Sequence, residues 1–424
     1  MSHADTAPEP DPAEPRVDAR RAGPARGDGR YAATLAFVES PVQLLNVLEW
    51  AHTSTGPAGQ DTGPYGDTRR PGDTGPAGDA GRPDGAGRQR RRTGWSGKAR
   101  ASAGARPAFE LDVVILPPHD PMTRGQLRRM AELARDEGHS VRWAEARGGA
   151  SAPLKTLSSL ARPLRRASRI VIGDPFSRYV QLLLNLTAAR EVVVVDDGTA
   201  TMEFVGQLAR GERLTRWHRK GAGGPVAVLY GPVSHRARRR LTPTGGRRVE
   251  VFSSMPVDDT VAELGVTVRA NDFAWTRSRF GPPRLTGGTD LVGTSLVETG
   301  VVDTDRYLEA VARLAREHGA TRYFAHRRES AQKLHRVANG AQLEIVRPDL
   351  PLELVARRGP IGHTILSFPS TVVHTLPLAL AGTDVKVAVC DVDPAWLTEQ
   401  ASPRAQGFLS GVTGTARAAH RLPS

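Results

Sequence analysis

Short runs of consecutive apolar residues alternate along this chain with segments whose apolar residues recur at helical spacing, a rhythm that predicts strand and helix in turn. The first run, residues 31–38 (YAATLAFV), leads into Glu39-Ser40-Pro41. Ser40 suits a helix N-cap, and Pro41 suits the first helical position, where its missing N–H is no loss. Val42, Leu44, Leu45, Val47 and Leu48 then line one helical face. Further strands are predicted at 109–116, 139–143, 169–173 and 191–196, separated by helices at 124–137, 154–165 and 176–189. A second series follows a Gly/Pro-rich stretch over 281–288, with strands at 290–296, 321–325, 343–346, 362–368 and 385–389. Its helices fall at 304–318 and 329–338 and after Ser370. Strands this continuously apolar, set between helices, imply parallel sheets covered on both faces.

The pattern predicts an α/β protein of two Rossmann-like parallel-sheet domains facing a cleft, the place where such sheets bind nucleotides. The expected boundaries are an N-terminal, acceptor-side domain at 31–280, a linker at 281–288, a C-terminal nucleotide-binding domain at 289–405 and a tail at 406–424. Two segments break the rhythm. A leader over 1–30 is rich in Ala, Pro and acids, and an insertion over 53–108 repeats Gly-Pro, Gly-Asp and Thr-Gly-Pro steps. Both hold too few apolar residues to offset the entropy of ordering and are expected to be disordered.

Composition agrees: 39% hydrophobic and 5% aromatic residues over 424 positions is low for a chain compact throughout. No apolar stretch approaches the roughly 20 residues a spanning helix needs, and the leader lacks the apolar core of a secretory signal. Cys390 is the single cysteine, so neither an intramolecular disulfide nor a cysteine-based zinc site is expected. A cytoplasmic location is expected. The net charge of +13 is unevenly spread: residues 1–108 hold 15 basic against 13 acidic side chains, whereas 210–248 hold 11 against one. That stretch is either a solvated loop or a dock for an anionic acceptor or an inner-membrane surface, where each cation contributes about 1 kcal/mol. No nucleic-acid motif accompanies it, and no nucleic-acid partner is expected.

Candidate chemistry gathers in three stretches, each where a predicted strand ends: Asp196-Asp197-Gly198, His326-Arg327-Arg328-Glu329, and Ser367-Phe368-Pro369-Ser370-Thr371. An acidic turn before glycine is common punctuation, yet a carboxylate at a sheet mouth can also take a proton from an acceptor hydroxyl. The two acids are adjacent rather than spaced as Asp-x-Asp, and no metal is inferred. An imidazolium at His326 is suited to donate to a departing phosphate, with Arg327 and Arg328 holding its charge. Glu329 is free to pair with an arginine or cap the next helix. Ser370 reads as an ordinary N-cap, and the same helix start, with Thr371 and Ser367, is an anion site. His374, one turn further on, reads as packing.

In order and content these motifs resemble the bacterial sialyltransferases of glycosyltransferase family 52 and the related bacterial polysialyltransferase-like family. The resemblance extends to residues 38–45 (VESPVQLL) and to Gly293-Thr294-Ser295-Leu296, and covers the chain from 31 to about 390. It implies a GT-B-like fold and an inverting, metal-independent transfer of a sialic-acid-like sugar from a CMP-activated donor to a glycan or glycolipid, with no further cofactor. By position it makes Asp196 the general base, with Asp197-Gly198 completing its turn and Ser40 supporting the motif. It makes His326 the group facing the leaving CMP phosphate, and Ser370, Thr371 and Ser367 its hydroxyl ligands. Arg327 departs from the proline that many members carry after the histidine. The rival readings are a GT-B-like enzyme using a UDP-sugar or a CDP-polyol, and, from another class, a polyanion-binding protein without catalysis.

Overall fold

A computed structural model of the chain describes residues 33–55, 110–149, 151–198, 200–216, 225–399, 401, 403–415 and 420–422. The leader over 1–30 and the insertion beyond Thr55 lie outside the described residues. Thr53–Thr55 continue the first helix instead of opening the insertion.

In the first half the strands are β1 (Thr34–Val38), β2 (Leu111–Ile115), β3 (Ser140–Trp143), β4 (Arg169–Ile172), β5 (Glu191–Val195), β6 (Arg248–Ser253) and β7 (Thr267–Ala270). Between and after them run α1 (Pro41–Thr55), α2 (Pro121–Asp136), α3 (Ala152–Arg166), α4 (Arg178–Leu186), α5 (Ala200–Ala209), α6 (Pro225–Arg240), α7 (Thr260–Glu263) and α8 (Ala274–Arg279). The sheet is parallel throughout, in the order β3-β2-β1-β4-β5-β6-β7. In the second half β8 (Leu285–Val292), α9 (Thr304–His318), β9 (Ala320–Phe324), α10 (Ala331–Ala341), β10 (Glu344–Val346) and α11 (Leu352–Arg358) come first. They are followed by β11 (Ile361–Ser367), α12 (Val372–Ala379), β12 (Lys386–Cys390), α13 (Pro403–Thr415) and β13 (His420–Leu422). Its parallel order is β10-β9-β8-β11-β12-β13. Counted from its own first strand, each sheet therefore begins 3-2-1-4-5-6, the Rossmann order, whose direction reverses between the first and fourth strands. Those reversal points, β1/β4 and β8/β11, are where ligand crevices open.

Period-two alternation divides the first sheet's core. Leu35 and Phe37 face one buried cluster with Leu160, Leu164, Val180 and Leu183, whereas Ala36 and Val38 face another with Leu44, Leu48, Leu127 and Trp275. This double burial is why the strands read as unbroken apolar runs. Leu350, Leu354 and Ala379 of the second half belong to that second cluster. Gln126 donates to the Pro348 carbonyl (2.8 Å), and Arg277 to that of Leu378 (3.1 Å), so polar contacts surround the shared core.

Several boundaries differ from expectation. The 281–288 stretch is not all linker: β8 begins at Leu285, and Gly288 lies within it. Glycine is tolerated in this strand because the backbones crowd; a β-carbon on Gly362 would sit 2.5 Å from the Gly288 carbonyl oxygen, beside a shift in register. The expected tail carries most of α13 and an edge strand, β13, that pairs with β12. Helix α2 starts at Pro121, a turn earlier than its apolar face suggests, because Asp120 accepts the Thr123 N–H (2.7 Å).

Glu49, fully buried on α1, fixes how the chain leaves β7. Its carboxylate accepts the Trp275 and Thr276 N–H groups (2.8 and 2.9 Å) and the Thr276 hydroxyl (2.6 Å), at the start of α8. Burial pushes this carboxyl up from 4.5 to about 7, against the hydrogen bonds that pull it down. Between those values the folded chain keeps a proton that the unfolded chain has released, so stability falls as pH rises through the window. Urea denaturation across that range should show this decline in the wild type, and a Glu49→Gln variant should lack it. Identical pH slopes would contradict the assignment.

Candidate active site

At the reversal point of the first sheet, β1, β4 and β5 end side by side. Ser40 caps α1 by accepting the Gln43 N–H (3.2 Å). Gln43 in turn accepts the Glu39 N–H (2.7 Å) and donates to Asp197 Oδ1 (3.0 Å). Gly173 makes room for it, since a β-carbon there would lie 2.4 Å from the Gln43 side chain. Arg216 Nη2 bridges Asp174 (2.9 Å) and Asp197 (2.7 Å), with its guanidinium over the Phe176 ring. Burial raises the pKa of Asp197, the neighbouring charge of Asp174 raises it further, and Arg216 offsets part of both.

Asp196 does not face this cluster. Successive side chains at a strand end point to opposite sides, and Asp196 turns inward with 1% of its surface exposed. Its Oδ1 accepts the Ser253 hydroxyl (2.6 Å), and its Oδ2 accepts the Ser254 N–H (2.5 Å) and hydroxyl (2.8 Å). Three hydrogen bonds thus tie Asp196 at the end of β5 to the end of β6. Asp196, the residue expected as general base, is buried behind these bonds, and the carboxylate at the mouth of the sheet is Asp197.

In the second sheet β9, β8 and β11 are adjacent, so the His326 and Ser367–Thr371 loops start two strand spacings apart, about 10 Å. The His326 backbone N–H donates to Glu329 (2.6 Å), which is buried and also accepts from Tyr323 (2.6 Å) and pairs with Lys333 (2.9 Å). Glu329 thus neither binds an arginine nor caps α10; Ser330 provides that cap. Gly293 is required beneath this network, since a β-carbon there would meet Glu329 Oε2 at 2.2 Å. His326 Nδ1 accepts the Arg328 N–H (3.2 Å), which leaves the proton of the neutral ring on Nε2. Burial, with Arg327, Arg328 and Lys333 nearby, pushes the imidazole down to about 4. The expected imidazolium is therefore a neutral donor in the unliganded protein.

The serine stretch also differs in detail. Helix α12 begins at Val372 with Thr371 in the cap position, and neither Thr371 nor Ser370 makes a side-chain cap bond. Buried Ser367 donates to the Phe368 carbonyl (2.9 Å) and lies 3.3 Å from the Ser370 hydroxyl, so it shapes the loop. Arg328 is exposed, while Arg327 is half-buried and makes no direct ion pair among the described residues. Burial lowers the pKa of Arg327, and Asp197 and Asp120 of the first half partly restore it.

The acidic turn and the serine stretch meet. Gly198 has φ +66°, and a β-carbon on it would lie 2.6 Å from Thr371 Oγ1, so both conformation and contact require glycine. Beside this contact opens a cleft of about 570 Å³, lined by Ser254, Met255, Asn271 and Asp272 of the first half and by His374 and Leu378 of the second. His374, read from the sequence as packing, is nearly buried, and its Nε2 lacks a hydrogen-bond partner. No local sequence signal marked Arg216 or Asp174, which segments far apart in the chain bring to the site.

Two Rossmann-ordered halves with their strand ends meeting at one site constitute a GT-B-like fold. No family model and no curated protein matches the chain. Among solved structures, an α/β-galactoside α-2,3-sialyltransferase from Photobacterium phosphoreum is similar at 7% identity and a TM-score of 0.48, covering 93% of this chain and 99% of that one. A Listeria monocytogenes protein assigned as a UDP-N-acetylglucosamine 2-epimerase matches at 11% identity and 0.46, covering 92% of each chain. MurG of Acinetobacter baumannii matches at 9% and 0.33, covering 92% of this chain and 85% of that one. All these scores lie below 0.5, and none carries a functional argument.

The two aspartates should separate in a stability measurement. Asp196→Asn sets an amide against hydroxyl and N–H donors and should cost about 2–3 kcal/mol in urea denaturation. Asp197→Asn leaves Arg216 its Asp174 partner and should change stability by less than about 1 kcal/mol. The reverse order would overturn the inward and outward placement.

Proposed function

We propose that the chain is an inverting glycosyltransferase that moves a sialic-acid-like sugar from a CMP-activated donor to a glycan or glycolipid acceptor. The observation that carries this reading is the pairing of opposite chemistries across one contact. A carboxylate turn from the first half abuts an uncapped helix start, hydroxyls and an arginine from the second. A leaving phosphate fits the second group, because the positive end of a helix, with Ser370, Thr371 and Arg327, stabilises negative charge. His326 Nε2–H adds a neutral donor whose proton affinity rises once an anion sits beside it.

In this mechanism Asp197 takes the proton of the acceptor hydroxyl. Its raised pKa makes it a stronger base than a solvated aspartate. The acceptor oxygen bonds to the anomeric carbon as the bond to the CMP phosphate breaks, and the departing electron pair stays on the phosphate. CMP leaves readily from a tertiary anomeric carbon, so positioning and charge stabilisation do most of the work. The donor identity comes from the motif resemblance, and no cofactor beyond the donor is part of the reading.

Incubation with a panel of CMP-sugars and an acceptor extract, with CMP release as readout, should show turnover selective for nonulosonates. Asp197→Asn should lower kcat by roughly 10²–10⁴-fold while CMP affinity stays within about threefold. Arg327→Ala should weaken CMP binding about tenfold or more. Stabilisation by UDP or GDP equal to that by CMP, or normal turnover of Asp197→Asn, would refute the proposal.

A further inference from the structure

Three of the helices on one face of the first sheet, α3, α4 and α6, carry no carboxylate, whereas α5 and α7 on that face hold Glu203 and Glu263. Helix α3 (APLKTLSSLARPLRR) holds Lys155, Arg162, Arg165 and Arg166. Helix α4 (RYVQLLLNL) holds Arg178, and α6 (PVAVLYGPVSHRARRR) holds Arg236, Arg238, Arg239 and Arg240. The three lie side by side and run in the same direction. Tyr179 donates to the Pro153 carbonyl (3.3 Å) at one end of the α3–α4 pair and Thr187 to that of Leu164 (3.3 Å) at the other. Asn185 of α4 reaches the Val233 carbonyl of α6 (3.1 Å). At 1.5 Å per residue the layer is roughly 20 Å long.

None of these cations forms an ion pair among the described residues, although exposed arginines elsewhere do. Arg124 pairs with Glu145, Arg142 with Asp112, Arg210 with Glu212 and Arg336 with Asp305. The helix dipole accounts for Arg165, Arg166, Arg238, Arg239 and Arg240, which stand in last turns, but not for Lys155 and Arg178 near helix starts, where a cation is unfavourable. The same layer exposes two large apolar side chains, Leu154 (70%) on α3 and Leu186 (46%) on α4.

We propose that the α3–α4–α6 face docks on an anionic lipid bilayer, its arginines among the headgroups and Leu154 and Leu186 at the acyl boundary. Exposed leucines flanking a carboxylate-free layer suit an interface that is anionic above and apolar below. A nucleic acid would use the charge and leave the leucines in water. The surface is separate from the strand-end site, so docking does not depend on the catalytic reading.

Sedimentation with phosphatidylcholine vesicles, with and without phosphatidylglycerol, tests the proposal on the full chain. Partitioning should require phosphatidylglycerol and fall with added salt. Each cation removed should weaken it about fivefold, so Arg162→Glu/Arg166→Glu/Arg236→Glu/Arg239→Glu should abolish measurable binding. The single change Leu154→Ser should weaken it several-fold with an unaltered melting temperature, which keeps the test valid if the quadruple variant unfolds. Equal binding to neutral vesicles, no effect of Leu154→Ser, or tighter binding to DNA than to anionic vesicles would overturn it.

Discussion

The close approach of Gly198 to Thr371 is the constraint on which the site depends. It joins the end of β5 in one sheet to the start of α12 in the other, and it tolerates no β-carbon. Much of the surrounding structure holds these two turns in place. Asp196 pins the first turn to β6 through Ser253 and Ser254, and Gln43 steadies Asp197 from α1. On the other side, the apolar cluster shared by Leu350, Leu354 and Ala379 with the first half sets the distance between the sheets.

Across that contact the charges are asymmetric. In the first half carboxylates converge on Arg216, and burial leaves Asp197 with a raised proton affinity. In the second half Arg327, Arg328 and Lys333 gather around a histidine whose own protonation they oppose. An anion entering beside His326 relieves that repulsion, whereas the Asp197 side accepts a proton. A cleft divided in this way suits a reaction in which one partner loses a proton as the other departs with negative charge.

Much of the framework was legible in the chain. Apolar runs such as 191–195 and 365–368 announced buried parallel strands, and the strand-end positions of all three polar stretches followed from them. The interval from 198 to 280 yielded no prediction of β6 or β7. Arg248–Ser253 alternates charged and apolar residues, a weaker signal than an unbroken run, and β7 is largely exposed. Within the site, adjacent Asp196 and Asp197 are chemically identical in sequence. Only the alternation of side chains at the end of β5, and the serines waiting on β6, decide which one faces the cleft. Ser370 likewise reads as a cap until the helix is seen to start at Val372 without one. Arg216 and Asp174 derive their places from contacts between distant segments, which no local pattern encodes.

The most direct measurement is a structure determined with a non-hydrolysable CMP-sugar bound. The phosphate should sit at the start of α12, within hydrogen-bond distance of Thr371 and of His326 Nε2, with the anomeric carbon facing Asp197. A phosphate seated instead at the Ser40–Pro41 turn of the first half, or an anomeric carbon turned away from Asp197, would contradict it.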